Sequence, residues 1–196
     1  MELKSSTLFV CALGVSFALV ASAQQRQTKD PQSSYEPRST PGEGQKYLQR
    51  FVGNWEVTKT FHPRSGQPSV AKGECVQSMI NDNRFLKSEF TFHSESGDTA
   101  GLGLIGFEPE TGKFTSVWLD SRQTRMSMRQ SDDKFDGREI RLAGKSLGED
   151  GKIAHPSHTI SRIEDDNNKI THKQFTLGPD GKDRLVMELV MTRKPR

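Results

Sequence analysis

Cysteine, tryptophan and long apolar runs are all scarce in this chain, and each scarcity excludes something. There are two cysteines, Cys11 and Cys75, in 196 residues. Cys11 lies inside an apolar N-terminal run, so only Cys75 would remain if that run is removed. No internal disulfide is then available, and stability must come from a packed core. Cys75 sits in a strand-like stretch and reads as a small buried hydrophobe rather than a reactive thiol. There are two tryptophans, Trp55 and Trp118. Charge of one sign is not concentrated anywhere. Lys and Arg number 28 against 25 Asp and Glu, for a net charge of +3, and the two signs alternate along the chain. Without a basic block or interleaved aromatic and basic residues, nucleic acid is not an expected partner. A phosphate-binding loop, a dinucleotide fingerprint, a Gly-x-Ser-x-Gly elbow and a His-Glu-x-x-His helix are all missing.

The one long apolar run is Leu8–Ala21, preceded by Lys4 and followed by Ala21-Ser22-Ala23 and the polar Gln24-Gln25. A short positive start, an apolar middle and a small-x-small end form the layout of a secretory signal peptide. The run is shorter than the roughly 20 residues of a spanning helix. Residues 1–23 are therefore expected to be a cleaved export signal, giving a secreted or periplasmic protein with no membrane contact afterwards. Cys11 lies within the run and not at its end, which argues against a lipoprotein. Residues 24–41 hold one aromatic residue and no aliphatic one. They cannot bury enough apolar surface to offset their ordering entropy, so a disordered linker is expected. The folded domain should span 42–196.

Within that domain, 44–52 places Tyr47, Leu48, Phe51 and Val52 at helical spacing, and Gly53 ends the helix. From Asn54 onward the pattern changes to short strand-like runs: 54–62, 69–80, 84–93, 99–108, 113–121, 124–131, 135–147, 152–164, 168–177 and 183–193. Turn signals separate them, among them Thr111-Gly112, Asp150-Gly151, Asn167-Asn168 and Asp180-Gly181. No helices intervene, which points to antiparallel neighbours. Period-two alternation supports strands: Leu86, Phe90 and Phe92 share one face, Trp55, Val57 and Phe61 another, and Leu185, Met187, Leu189 and Met191 a third. About ten serial strands are best accommodated by closing the sheet, which removes exposed edges. The expected fold is all-β, an up-and-down antiparallel barrel with a short N-terminal helix. A two-sheet sandwich is the alternative.

These residues carry a resemblance. A helix, then Gly53-Asn54-Trp55 opening the first strand, then Arg193 near the end of the last strand, resembles the calycin pattern of lipocalins, fatty-acid-binding proteins and avidin. The resemblance implies that Trp55 closes one end of the barrel, with Arg193 across its ring and bound to nearby carbonyls. A narrower match joins Phe51-Val52-Gly53-Asn54-Trp55-Glu56, Asn83-Arg84-Phe85-Leu86, Gly103–Glu108, Lys113–Ser121 and Met187–Lys194. It is similar to the bacterial family called domain of unknown function 1579, whose members are often secreted and for which a lipocalin-like barrel is expected. Members commonly carry Gly-Tyr-Asp where this chain has Gly106-Phe107-Glu108. The family brings no established activity.

Function then rests on side chains. Trp118 and Asp120 share a strand face and are expected to line a cavity together, the indole for an apolar body and the carboxylate for a polar head. Phe90, Phe92, Phe107 and Met128 are the further lining candidates. Met126 and Met128 are read as facing inward, with Arg125 and Arg129 outside. The leading reading is a non-catalytic barrel that binds a small hydrophobic or amphipathic ligand, with no cofactor. A hydrolase or isomerase is the alternative, and it requires titratable groups such as Asp120, His158, His172 and Glu188 to converge. A further alternative is a nitrobindin-like barrel holding haem through His172. His155 and His158 have the wrong spacing for a strand-borne metal site. The acidic clusters Asp132-Asp133 and Glu164-Asp165-Asp166 read as solvated turns.

Overall fold

A computed structural model describes residues 39–147, 154–178 and 180–195. The expected export signal (1–23), nearly all of the linker (24–41) and the turn at Asp150-Gly151 lie outside the described residues. The elements run in order as α1 (Glu43–Gln49), β1 (Gly53–Phe61), β2 (Ser69–Ile80), β3 (Phe85–His93), β4 (Thr99–Glu108), β5 (Lys113–Asp120), β6 (Ser127–Gln130), β7 (Ile140–Leu147), β8 (Ala154–Glu164), β9 (Lys169–Leu177) and β10 (Asp183–Arg193). Each strand pairs antiparallel with its sequence neighbours, and β10 returns to β1 to close the barrel. A single closed sheet excludes the sandwich.

Closure fixes two ends. Strands β1, β3, β5, β7 and β9 start at the end that α1 covers. The β2–β3 turn, the β4–β5 turn, the β6–β7 loop and the short 3-10 turn Asp165–Asn167 lie there too. At the β2–β3 turn, Asn81, Asp82 and Asn83 all take positive φ, a conformation that Asn and Asp tolerate better than most residues. The opposite end carries the β1–β2, β3–β4, β5–β6 and β9–β10 connections.

Alternation decides what fills the interior. Trp55, Val57, Cys75, Leu86, Phe90, Phe92, Ile140, Leu142, Ile163, Ile170, Leu189 and Met191 face inward and are buried. Each such side chain contributes roughly 1.5–3 kcal/mol on removal from water. Cys75 belongs to this core, and burial pushes its thiol well above the usual range.

Some strand expectations shift. The helix buries Tyr47 and Leu48, and Phe51 just beyond it is buried too, whereas Val52 turns to solvent. Phe61, at the rim of β1, is 48% exposed. In β10 the pairing with β9 slips between Leu185 and Met187, and Val186 at the slip is buried. A bulge of this kind inverts the parity on one side of it. β6 is shorter than the expected 124–131, and β7 begins at Ile140 rather than 135. These two strands share a register of only Arg129↔Gly144 and Gln130↔Ala143. This is the thinnest seam of the barrel.

Candidate functional site

The α1 end is packed, and the polar groups around Trp55 are partnered. Trp55 is fully buried, and its indole N–H donates to the Phe51 carbonyl at 3.0 Å. Arg193 lies over the ring, 4.2 Å from the centroid to the guanidinium carbon. Its nitrogens donate to the carbonyls of Asn167 (2.7 Å), Val52 (2.7 Å) and Arg50 (3.0 Å). A guanidinium fork over an indole combines a cation–π contact with fixed hydrogen bonds. Gly53 is required here. Its φ of +148° disfavours other residues, and a Cβ would lie 2.2 Å from an Arg193 nitrogen. Around this clamp the rings of Phe107 and Phe114 (4.8 Å), Phe114 and Phe135 (5.1 Å) and Tyr47 and Phe51 (5.5 Å) pack together. The Tyr47 hydroxyl donates to the Arg138 carbonyl, and buried Glu139 pairs with both Arg141 and Arg162.

Above this floor, toward the open end, lies a cavity of about 450 Å³. That is within the ~300–1,000 Å³ range of small-molecule sites. Ten strands make a barrel wider than eight, whose interior side chains can nearly fill. One wall is aromatic. Phe90 and Phe92 stack with centroids 5.8 Å apart, and Trp118 meets Phe90 edge-on at 5.4 Å. Trp118 lies flat against β4 because its neighbour there is Gly101. A Cβ at that position would come within 2.3 Å of the indole.

The opposite wall is polar. Arg129 on β6, Thr159 and Ser161 on β8, and His172 and Gln174 on β9 all line the cavity. Nδ1 of His172 is 2.8 Å from Oγ of Ser161. Burial first, and the positive charge of Arg129 second, push the imidazole down to about 4, so His172 is neutral near pH 7. Burial also lowers the pKa of Arg129, yet a guanidinium stays protonated. Its Nε is buried with no hydrogen-bond partner among the described residues.

The mouth carries Asp120, Arg122 and Lys59. Arg122 donates from Nε and Nη2 to the two Asp120 oxygens at 2.8 and 2.6 Å, and its backbone N–H adds a third bond at 2.9 Å. The Arg122 side chain therefore holds the Asp120 carboxyl below the usual range, against the opposing effect of burial. Lys59 packs its ammonium 3.9 Å from the Phe92 centroid. Burial, then the nearby Arg122, lowers its pKa.

Of the six expected lining residues, Trp118, Phe90, Phe92 and Asp120 border the cavity. Asp120 is not a free anchor, because Arg122 already occupies both oxygens. Phe107 must be corrected: it packs beneath α1 with Phe114 and Phe135 and borders no part of the cavity. Met128 must be corrected too. It is 65% exposed on the outer face, and Met126 is 58% exposed. The reason is register: inward Trp118 pairs with Ser127, and inward Ser116 pairs with Arg129. Arg129 therefore points in, and Met128 between them points out. In β4, Gly101 and Gly103 likewise face in while Leu102 and Leu104 face out. Around a hollow interior the usual parity of apolar-in and polar-out inverts, and that repeated inversion was the available signal for Arg129.

The titratable candidates do not converge. His158 stacks on Phe175 at 4.9 Å, on the outer side of β8 and β9, and lies 3.5 Å from Asp183. Glu188 pairs with Lys173 at 3.3 Å on the outer side of β10. His172 is inside, and Asp120 is at the mouth. Among the described residues no group of three His, Cys, Asp or Glu side chains is arranged to hold a metal ion.

The barrel has counterparts of known structure. Rv2717c from M. tuberculosis superposes with a TM-score of 0.55 at 14% identity, over 80% of this chain and 100% of its own. The S-type phycobiliprotein lyase CPES from Guillardia theta gives a TM-score of 0.50 at 10% identity, over 78% and 93%. At such identities the likeness is one of fold. No curated protein sequence matches the chain. The family model described as "Protein of unknown function (DUF1579)" matches residues 40–193, almost the whole of the barrel, and the chain belongs to that family.

Proposed function

We propose that this is an exported, lipocalin-like binding protein whose barrel holds a small amphipathic ligand. The observation that carries this reading is the divided interior: a cavity of about 450 Å³ with stacked rings on one wall and polar groups on the other. An apolar body against Phe90, Phe92 and Trp118 and a polar head against the β6, β8 and β9 wall would satisfy both halves. A barrel of similar fold that is a phycobiliprotein lyase is in keeping with a small-molecule role for this architecture. Export is supported by the signal-like sequence at 1–23.

The test is native mass spectrometry of gently purified protein, joined to fluorescence. A Trp55→Phe variant leaves Trp118 as the sole indole. Saturable quenching of that emission by an amphipathic ligand supports the reading. A protein that carries no co-purifying mass and shows no saturable response to any amphiphile contradicts it.

Haem is the second reading, favoured by His172: a neutral imidazole inside the cavity, with Nδ1 fixed by Ser161, is the state in which a histidine ligates metal. It ranks second because the same Arg129 charge that disfavours a proton on His172 also disfavours a cationic metal there. Titration with haem, followed by its absorption band in wild type and His172→Ala, tests it. A band that is the same in both proteins excludes His172 as ligand.

A further inference from the structure

The cavity wall contains a charge that the fold leaves unanswered. Arg129 enters the barrel from the short strand β6. Its neighbours across the sheet are Ser116 and Gly144, neither of them acidic. A side chain at position 144 would collide with the Arg129 stem, since a Cβ there would lie 2.7 Å from Cγ. Glycine at 144 thus gives the arginine its course into the interior. No salt bridge or hydrogen bond joins Arg129 to any described residue, and its Nε is buried without a partner. A half-buried, unpaired charge costs stability, and the barrel would be better filled there by an apolar side chain.

The rest of the lining has the same sign. Lys59, Arg122, Arg125, Arg129 and Lys145 border the cavity, against Asp120 as the one carboxylate. Arg122 already claims that carboxylate. Arginines at the α1 end show the contrast: half-buried Arg193 has three carbonyls, and the exposed Arg141 and Arg162 share buried Glu139. The facing wall is chiefly the stacked rings of Phe90, Phe92 and Trp118. The head of a bound molecule is therefore directed to the β6 side and its body to the rings.

We infer that the ligand is an anionic amphiphile and that Arg129 is the anchor for its acidic head, a carboxylate or an equivalent oxyanion. This inference rests on the ligand-binding reading above and names the ligand's chemical class. A guanidinium fork matches a planar carboxylate through two parallel hydrogen bonds. The cationic mouth would raise the local concentration of such an anion before it enters.

The experiment compares dodecanoate, dodecyl phosphate, dodecan-1-ol and dodecylamine, all below micelle-forming concentrations. Binding is measured by calorimetry and by Trp118 emission in wild type, Arg129→Met and Arg129→Lys. The expected wild-type order places the two anions roughly tenfold or more above the alcohol, with the amine weakest. Arg129→Met should bring the anions down to the alcohol's affinity and leave the alcohol unchanged. Arg129→Lys should keep the charge preference but narrow the gap between carboxylate and alcohol. Carboxylate against phosphate ranks the two head groups. Equal binding of alcohol and acid in wild type, or an acid preference that survives in Arg129→Met, overturns the anchor while leaving the binding reading intact. Absence of binding by every probe overturns both. Melting curves of the variants are run first, and Arg129→Lys serves as the folded comparison if Arg129→Met does not fold.

Discussion

The two ends of the barrel treat polar groups in opposite ways. At the α1 end each buried polar side chain discussed above has a partner: Trp55 with a carbonyl, Arg193 with three, Tyr47 with one, and Glu139 with two arginines. Of the four buried side-chain atoms without partners among the described residues, Nε of Arg129, Oγ of Ser157 and Nε2 of His62 lie away from that end, and Oε1 of Gln77, which sits beside Gly53, is the exception at it. Buried polar groups are normally satisfied. An end that satisfies nearly all of them is built for stability. An interior that leaves the Arg129 Nε open beside a cavity is built to receive something.

The largest expected effect falls on the first end. Trp55→Ala removes a fully buried indole and the platform beneath Arg193. It should cost about 3–5 kcal/mol in chemical denaturation. The fraction that remains folded should bind amphiphiles with unchanged affinity. A folded variant that had lost binding would break the division between the ends.

Acid comes next. His172 has a folded-state pKa depressed to about 4 from an ordinary value of 6.5. Between these values the unfolded chain takes up a proton that the folded chain refuses. Stability is therefore highest above about pH 6.5 and falls as pH drops toward 4, by a loss on the order of 3 kcal/mol. The charged group facing the ring is Arg129 on β6, while Ser161 on β8 and Leu189 on β10 beside it carry no charge. Denaturation curves at pH 7 and pH 4.5 should thus differ more for wild type than for His172→Gln. Arg129→Met should narrow the difference as well, because it removes the second cause of the shift. A pH profile identical in all three proteins would contradict this view of the polar wall.

A smaller loss, about 1–3 kcal/mol, is expected for Gly101→Ala, whose methyl group would displace the Trp118 indole. Red-shifted emission of Trp118 and weaker amphiphile binding should accompany it. The smallest effect belongs to Asp120→Asn. Its partner Arg122 is exposed, and such a pair contributes about 0–1 kcal/mol. Anion binding should strengthen slightly as the mouth loses its one carboxylate. A large loss of affinity would restore Asp120 as the anchor.

The sequence made the architecture legible because strand periodicity and turn chemistry are local. Thr111-Gly112 and Asp180-Gly181 mark hairpins wherever they occur, and ten such strands leave few alternatives to closure. The positions of Gly53, Trp55 and Arg193 were legible through resemblance, since nothing local joins residues 138 apart. The site was read only in part. Phe90, Phe92 and Trp118 follow from parity. Phe107 keeps the inward parity expected of it but lies one layer lower, beneath α1, and depth along a barrel has no sequence signature. Met128 and Arg129 face opposite to the expectation, which rests on apolar side chains pointing inward. That rule holds for a filled core and fails beside a cavity, where β4 and β6 turn glycine, serine and arginine toward the interior. Asp120 was placed on the correct face, but its pairing with Arg122 comes from a tight turn whose geometry composition does not reveal.

One paired measurement bears most directly on the claim that stability and binding reside at opposite ends. Trp55→Ala and Arg129→Met are each taken through a denaturation series and a dodecanoate titration beside wild type. The first variant should lose several kcal/mol with affinity unchanged, and the second should keep or gain stability while binding roughly tenfold more weakly. If Arg129→Met destabilises the barrel as much as Trp55→Ala while dodecanoate still binds, Arg129 is a structural residue and the central claim is wrong.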